Sequence, residues 1–412
     1  MAPRITRRNF LVGTAATAAF AGAPAFAQPK PVKIGLLTVK TGPLAAGGIQ
    51  MEQGLTCFLK DRNYLLAGRK VELVVGDTGG NPAGTKTKTQ ELVERDNVDM
   101  ILGPLAAFEL LAISDYAAQA KMPILSLAAA EDMTQRKPNP FFVRASATSA
   151  QGMHPLADYA AKELKFKRVI TLADDFAFGH EQMGGFQRVF EDAGGRIAKK
   201  LWPPLVTPDY TPYIVQISGA DAIVQGFAGS NPVKFMKQYK DQGLHLPVVA
   251  GSPAGDDALL KSFGDEAIGM ISSNFYSHDV DTPSNKKLID RMVREYGNIP
   301  GTYSAGLYIN GMVAEAALEK TGGKTDNREE FIKALRSVSL TDTPRGPFSF
   351  DHFGNVVGNF YIRRCERKGD RLVNTTIKTY PKVSQFWTYD EKAFLASPVY
   401  ARDYPPAKNL EQ

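Results

Sequence analysis

Val32-Lys33-Ile34-Gly35-Leu36-Leu37 is a short apolar run that stops at the turn Thr41-Gly42-Pro43, and Lys70-Val71-Glu72-Leu73-Val74-Val75 is the next such run. Between them lies a helix-like segment, residues 49–62. Strand, helix and strand in that order make a β-α-β unit, whose crossover places the two strands parallel. The alternation continues with a helix over 83–95, a strand over 100–102, a helix over 108–120 and a strand over 123–127. Strands that alternate with helices predict a parallel sheet covered on both faces.

A second series follows residues 145–149. It consists of a helix over 154–164, the strand Arg168-Val169-Ile170-Thr171-Leu172, and a helix ended by Gly194-Gly195 as a C-cap. Then come a strand over 197–201, a helix over 211–217, a strand over 222–224 and a helix over 233–242. A chain of 412 residues is too long for one ordinary core. The sequence therefore predicts an α/β fold of two Rossmann-like lobes with parallel sheets. Ligands of open parallel sheets bind beyond the carboxyl ends of the strands, so two such lobes face to face would share a cleft.

At the N-terminus, Arg4, Arg7 and Arg8 precede an uncharged, mildly apolar stretch from Phe10 to Phe26. That is the layout of an export signal. Thr6-Arg7-Arg8-Asn9-Phe10-Leu11 resembles the twin-arginine pattern, and Ala25-Phe26-Ala27 offers a cleavage site before Gln28. The stretch is too short, and too rich in Ala, Gly and Thr, to span roughly 30 Å of hydrocarbon. Export of residues 28 onward and no membrane insertion after cleavage are the expectations. Loss of the three arginines lowers the formal charge from +6 to +3, and no basic run is interleaved with aromatics, so no nucleic-acid partner is expected. Only Cys57 and Cys365 are present, which excludes a disulfide framework and a cysteine-rich zinc site but leaves one bridge open.

Enzyme signatures are poor. Gly76-Asp77-Thr78-Gly79-Gly80 lacks the glycine spacing of a dinucleotide site. His180-Glu181 has no second histidine one turn later, and Ser230 does not sit in a nucleophile elbow. Asp279 and Asp281 lack the remaining oxygens of a calcium loop. No catalysis, metal or cofactor is expected.

The ordered stretches Ile34-Gly35 through Thr41-Gly42-Pro43-Leu44-Ala45, residues 68–74, residues 98–104, Phe178-Gly179, Asp209-Tyr210-Thr211-Pro212-Tyr213 and Thr343-Pro344-Arg345-Gly346-Pro347 together resemble the branched-chain amino-acid type of periplasmic binding proteins, with the type I two-lobed fold. The resemblance implies three crossings between discontinuous lobes, with hinges near Ala145, Ser277 and Asn355. One lobe would comprise 28–146 and 279–355, the other 147–278 and 356–390, with 391–412 as a C-terminal tail. It further implies a soluble periplasmic receptor that hands a small ligand to an ABC permease and its ATPase. A ligand sensor feeding a regulator or chemoreceptor would share the fold.

Relatives that bind aliphatic amino acids hold the α-carboxylate with hydroxyl side chains and backbone amides, and the ammonium with an acid. The matching positions are Ala107 and Ala130, and no acid lies in Gly251-Ser252-Pro253-Ala254. A buried ammonium without a carboxylate is costly. Gly47 replaces an aromatic, which suggests room for a bulkier ligand; Gly80 and Ala106 replace a disulfide found in some relatives. The candidate ligand-binding residues are Ala106, Ala107 and Phe108 in one loop, Ala128, Ala129 and Ala130 in another, and Phe178, Phe227, Tyr276 and Tyr303 opposite. Phe178 and Tyr303 match ligand-contact positions, whereas Phe227 and Tyr276 suit a core equally well. Small residues before a helix leave N–H groups for an anion. Together these features favour an aromatic carboxylate over branched-chain amino acids, other amino acids or amides. Arg144, near a hinge, either reaches such an anion or ties backbone carbonyls.

Overall fold

A computed structural model describes residues 30–207 and 209–408. The export-signal reading at 1–27 lies outside the described residues. The first series runs β1 (Val32–Thr38), α1 (Ala45–Asp61), β2 (Leu65–Leu66), β3 (Arg69–Asp77), α2 (Pro82–Gln90), β4 (Met100–Leu102), α3 (Ala107–Gln119), β5 (Ile124–Leu125) and β6 (Phe142–Val143). Its sheet has the order β2-β3-β1-β4-β5-β6. Every pair is parallel except the two-residue β2, and Ile34 stands beside Leu73 on one side and Met100 on the other.

The second series runs α4 (Met153–Lys162), β7 (Arg168–Ala173), α5 (Ala177–Asp192), β8 (Arg196–Leu201), α6 (Thr211–Ile214), β9 (Ala222–Gly226), α7 (Asn231–Asp241), β10 (Val248–Ala250) and β11 (Ile271–Asn274). Three helices then return to the first sheet's side: α8 (Pro283–Tyr296), α9 (Thr302–Lys320) and α10 (Arg328–Arg336). The chain closes with β12 (Phe348–Phe350), β13 (Val356–Lys368), β14 (Arg371–Val383) and α11 (Glu391–Ala396). The second sheet has the order β12-β13-β11-β10-β9-β7-β8, with β14 on β13.

Local chemistry accounts for the element ends. Asn81 caps α2 by accepting from Gly84 N–H with Pro82 at the first helical position, and Thr282 and Pro283 do the same for α8. Gly194, at φ +87°, stops α5 as the sequence predicts. Helices α1 and α9 cross so closely that a Cβ on Gly54 would lie 2.0 Å from Ser304 O, and Phe58 meets Tyr308 edge-on at 5.4 Å.

Two features depart from the sequence reading. The second sheet is mixed, because β13 runs antiparallel to β11 and to β14. The β13–β14 hairpin turns on Gly369-Asp370, with Gly369 at φ +64°. Its charged outer face hides the strand pattern. The boundary expected at 355 also falls inside the β12–β13 pair, which carries Phe348–Phe350 into the second sheet. The segment 391–400 is anchored: Phe394 and Tyr400 pack with Ala150 and Phe386, and Tyr400 rests on Gly184 of α5.

Near the crossings, Arg144 N–H donates to Gly354 O at 2.9 Å and Val356 N–H to Arg144 O at 3.0 Å, so two of the connecting segments pair side by side. Cys57, in α1, and Cys365, in β13, are free buried thiols in different cores, and burial pushes both up to about 12.

Candidate ligand cleft between the lobes

The loops that leave the carboxyl ends of β1, β4, β5, β7, β9 and β10 converge on one cleft. Leu44, Leu105, Ala106, Ala107, Leu127 and Ala129 form one wall, and Phe176, Phe178, Ala228, Ser252 and Pro253 the other. The connecting stretch Ser146–Ser149, with Gly152 and Met153, makes the floor, and Thr302 and Tyr303 enter from the start of α9.

The lobes touch around this space. Ser230 N–H donates to Pro43 O at 3.3 Å, and Phe108 meets Phe176 edge-on at 5.6 Å. Thr302 donates to Asp256 through its N–H (2.8 Å) and its hydroxyl (3.1 Å).

Of the ten sequence candidates, Ala106, Ala107, Ala129, Phe178 and Tyr303 line the cleft. Phe108 stands behind the wall on Phe176, and Ala128 and Ala130 are buried in the core under α3. Phe227 and Tyr276 are not at the cleft. Phe227 packs with Tyr210 and Phe235 in the second core, and Tyr276, fully buried, gives its hydroxyl to Asn285 Oδ1 at 3.0 Å. Both sit just past a strand end, but the chain turns their rings inward, where an aromatic side chain buries the most area. Sequence reasoning missed Ser146, Thr148, Ser149, Gln182, Ser252 and Thr302, the polar part of the lining. Apart from Gln182 in α5 and Thr302 at the start of α9, these are short polar residues of the kind found in any loop, so no pattern singled them out.

Gly47 does not widen the cleft. A Cβ there would come 2.9 Å from the Tyr303 ring and 3.0 Å from Leu105, so the space that the glycine leaves holds Tyr303. The Tyr303 hydroxyl has no hydrogen-bond partner among the described residues, and burial raises its pKa.

Helix α3 starts at Ala107 with a carboxylate folded back over its first turn: Glu109 accepts from Ala106 N–H at 2.9 Å and is tied to Thr78 and Thr85. Burial holds the Glu109 carboxyl above its usual range. The N–H groups of Ala107 and Phe108 have no acceptor within the helix, so the wall offers an anion two amides and a helix dipole without any cationic side chain.

Arg144 is committed elsewhere. Its guanidinium donates to Ala128 O (3.1 Å), Ala130 O (2.5 Å), Thr134 Oγ1 (3.0 Å) and Asn355 Oδ1 (3.1 Å), and burial lowers its pKa to about 10. Arg345, from the Thr-Pro-Arg-Gly-Pro stretch, does the same for the floor by donating to Ala145 O at 2.6 Å and Ser146 O at 2.5 Å.

Asp174, behind the second wall, accepts from Ala228 N–H and Asn231 Nδ2, both at 2.7 Å, yet burial raises its pKa from 3.8 to about 7. The folded protein therefore binds this proton more tightly than the unfolded chain. Stability contributed by Asp174 falls as pH rises from about 4 through about 7 and is level above that. Melting temperatures measured from pH 4 to 8 are expected to show this decline in the wild type and a flatter profile in Asp174→Asn.

The profile of the family described as periplasmic binding protein matches residues 31–370. This chain belongs to that family. It is 29% identical over 386 residues to a Leu/Ile/Val-binding protein homolog of Brucella suis, covering 90% of this chain and 97% of that relative. An ABC transporter substrate-binding protein from Sphaerobacter thermophilus superposes with a TM-score of 0.80 at 32% identity, covering 86% of this chain and 99% of that one. A solute-binding protein of an ABC transporter from Rhodopseudomonas palustris BisB5, solved with 3,4-dihydroxybenzoic acid, gives a TM-score of 0.82 at 31% identity over 86% and 98% of the two chains. As a member of this family the chain is a solute-binding receptor of the ABC-transporter class with two α/β lobes. Among the described residues, no helix is long and apolar enough to cross a membrane, and no group of three or more His, Cys, Asp or Glu could hold a metal.

Proposed function

We propose that this protein is a periplasmic receptor that captures an aromatic carboxylate and delivers it to the permease and ATPase of an ABC importer. The observation that carries the ligand class is the cleft itself. It combines aromatic and aliphatic walls, free amides at the start of α3, and no carboxylate placed for an ammonium. The nearest acid beyond Gly251–Ala254 is Asp256, already bonded to Thr302 and lifted by burial to about 6. The dihydroxybenzoate in the Rhodopseudomonas protein supports the same class. Export through the signal read over residues 1–27 supports the compartment. Phe178 and Tyr303 would bracket the ring, with Ala106 and Ala107 at the carboxylate.

Ring burial alone is insufficient. About 150 Å² of ring at roughly 25 cal/mol/Å² contributes on the order of 4 kcal/mol, and micromolar affinity requires about 8; carboxylate contacts and lobe closure supply the rest. In a thermal-shift screen, benzoates and cinnamates are expected to raise the melting temperature more than leucine, isoleucine or valine, because a ligand that binds only the folded state stabilises it. A larger shift with leucine than with any aromatic acid would reverse the assignment and favour the ligand class named for the Brucella relative.

A further inference from the structure

One polar group in the cleft is left without a partner. Gln182, one turn into α5, is 1% exposed and lines the cleft, and its Oε1 has no hydrogen-bond partner among the described residues. The amide lies in a slot made by two glycines. Its Nε2 faces the Gly226 carbonyl at 3.4 Å, and a Cβ on Gly251 would come within 2.0 Å of Oε1. The Gly226 carbonyl fixes which way the amide points, since a flipped Gln182 would set oxygen against oxygen. The atom of this cleft-lining residue that is left without a partner, packed against Gly251, is therefore an acceptor. A buried acceptor left unmade is destabilising, and a ligand that donates to it gains accordingly.

We infer that Gln182 is a specificity-determining residue that accepts a hydrogen bond from a hydroxyl on the ligand's aromatic ring. This rests on the aromatic-carboxylate reading above and narrows it to hydroxylated rings. The carboxylate lies on the first lobe's α3, and the ring hydroxyl reaches α5 of the second, so one ligand ties both lobes. A site built to accept from a hydroxyl discriminates strongly against analogues that lack it.

The test is calorimetric titration of the wild type and Gln182→Leu with 4-hydroxybenzoate, 3,4-dihydroxybenzoate, benzoate and 4-methoxybenzoate, the last of which fills similar space but cannot donate. The wild type is expected to bind a hydroxylated acid at least about tenfold more tightly than benzoate and 4-methoxybenzoate. In Gln182→Leu that preference should vanish while benzoate still binds. If the variant does not fold, the wild-type ligand series decides alone. Wild-type affinities that are equal across the series, or a preference retained in Gln182→Leu, overturn the role of Gln182 but leave the aromatic-acid reading standing. Failure of all four acids to bind overturns both.

Discussion

Replacing Arg144 with methionine is expected to lower unfolding free energy by about 3–5 kcal/mol, measured by urea denaturation of the mature protein. The guanidinium satisfies two carbonyls, a hydroxyl and an amide oxygen in a region sealed from water. Its loss strands those acceptors and removes the cation nearest the buried pair Glu131 and Glu181, whose carboxyls burial already holds above their usual range. Glu181 accepts from Ser149 Oγ at 2.6 Å and Glu131 from Ala150 N–H at 2.8 Å, so the cleft floor would loosen with them. Ligand affinity should weaken as a consequence of lost structure. A stability change below about 1 kcal/mol together with abolished binding would instead make Arg144 a direct ligand contact.

Tyr303→Ala is expected to weaken aromatic-acid binding at least about tenfold, because it removes a stacked ring, worth about 0.5–1.5 kcal/mol beyond its burial, and the contact area as well. Tyr303 stands at the second position of α9, its ring held over Gly47 and beside Leu105. Its hydroxyl has no partner among the described residues, so Tyr303→Phe isolates what that hydroxyl does for the ligand. Unchanged affinity in Phe means that the ring alone acts; a loss of about 1.5–3 kcal/mol means that the hydroxyl donates to the carboxylate. Calorimetry beside melting curves separates these outcomes from a merely structural role. Lower melting with unchanged affinity in Tyr303→Ala would remove the residue from the site.

The parallel sheets were legible because their strands are short, apolar and punctuated by Gly and Pro turns, as at Val32–Thr38 and Met100–Leu102. The β13–β14 hairpin was not. Its middle, Phe360 to Arg363, is buried on both faces, but residues such as Arg364, Glu366 and Lys368 gave its end the composition of a loop. The place of the cleft followed from strand ends, but side-chain direction did not: nothing local distinguishes Phe178, which lines it, from Phe227, which packs inward. Gly47 was read as empty space, although a glycine beside an aromatic on a distant helix equally makes room for that aromatic. Gln182 was invisible because its meaning depends on Gly226 and Gly251, which lie at the ends of other strands.

The central claim, that the cleft takes an aromatic carboxylate in place of an aliphatic amino acid, is tested most directly by titrating the mature protein with 4-hydroxybenzoate and with leucine in the same calorimetric experiment. Binding at about micromolar, or about −8 kcal/mol, is expected for the aromatic acid, with a far weaker response to leucine. Tight leucine binding that 4-hydroxybenzoate cannot displace would contradict it.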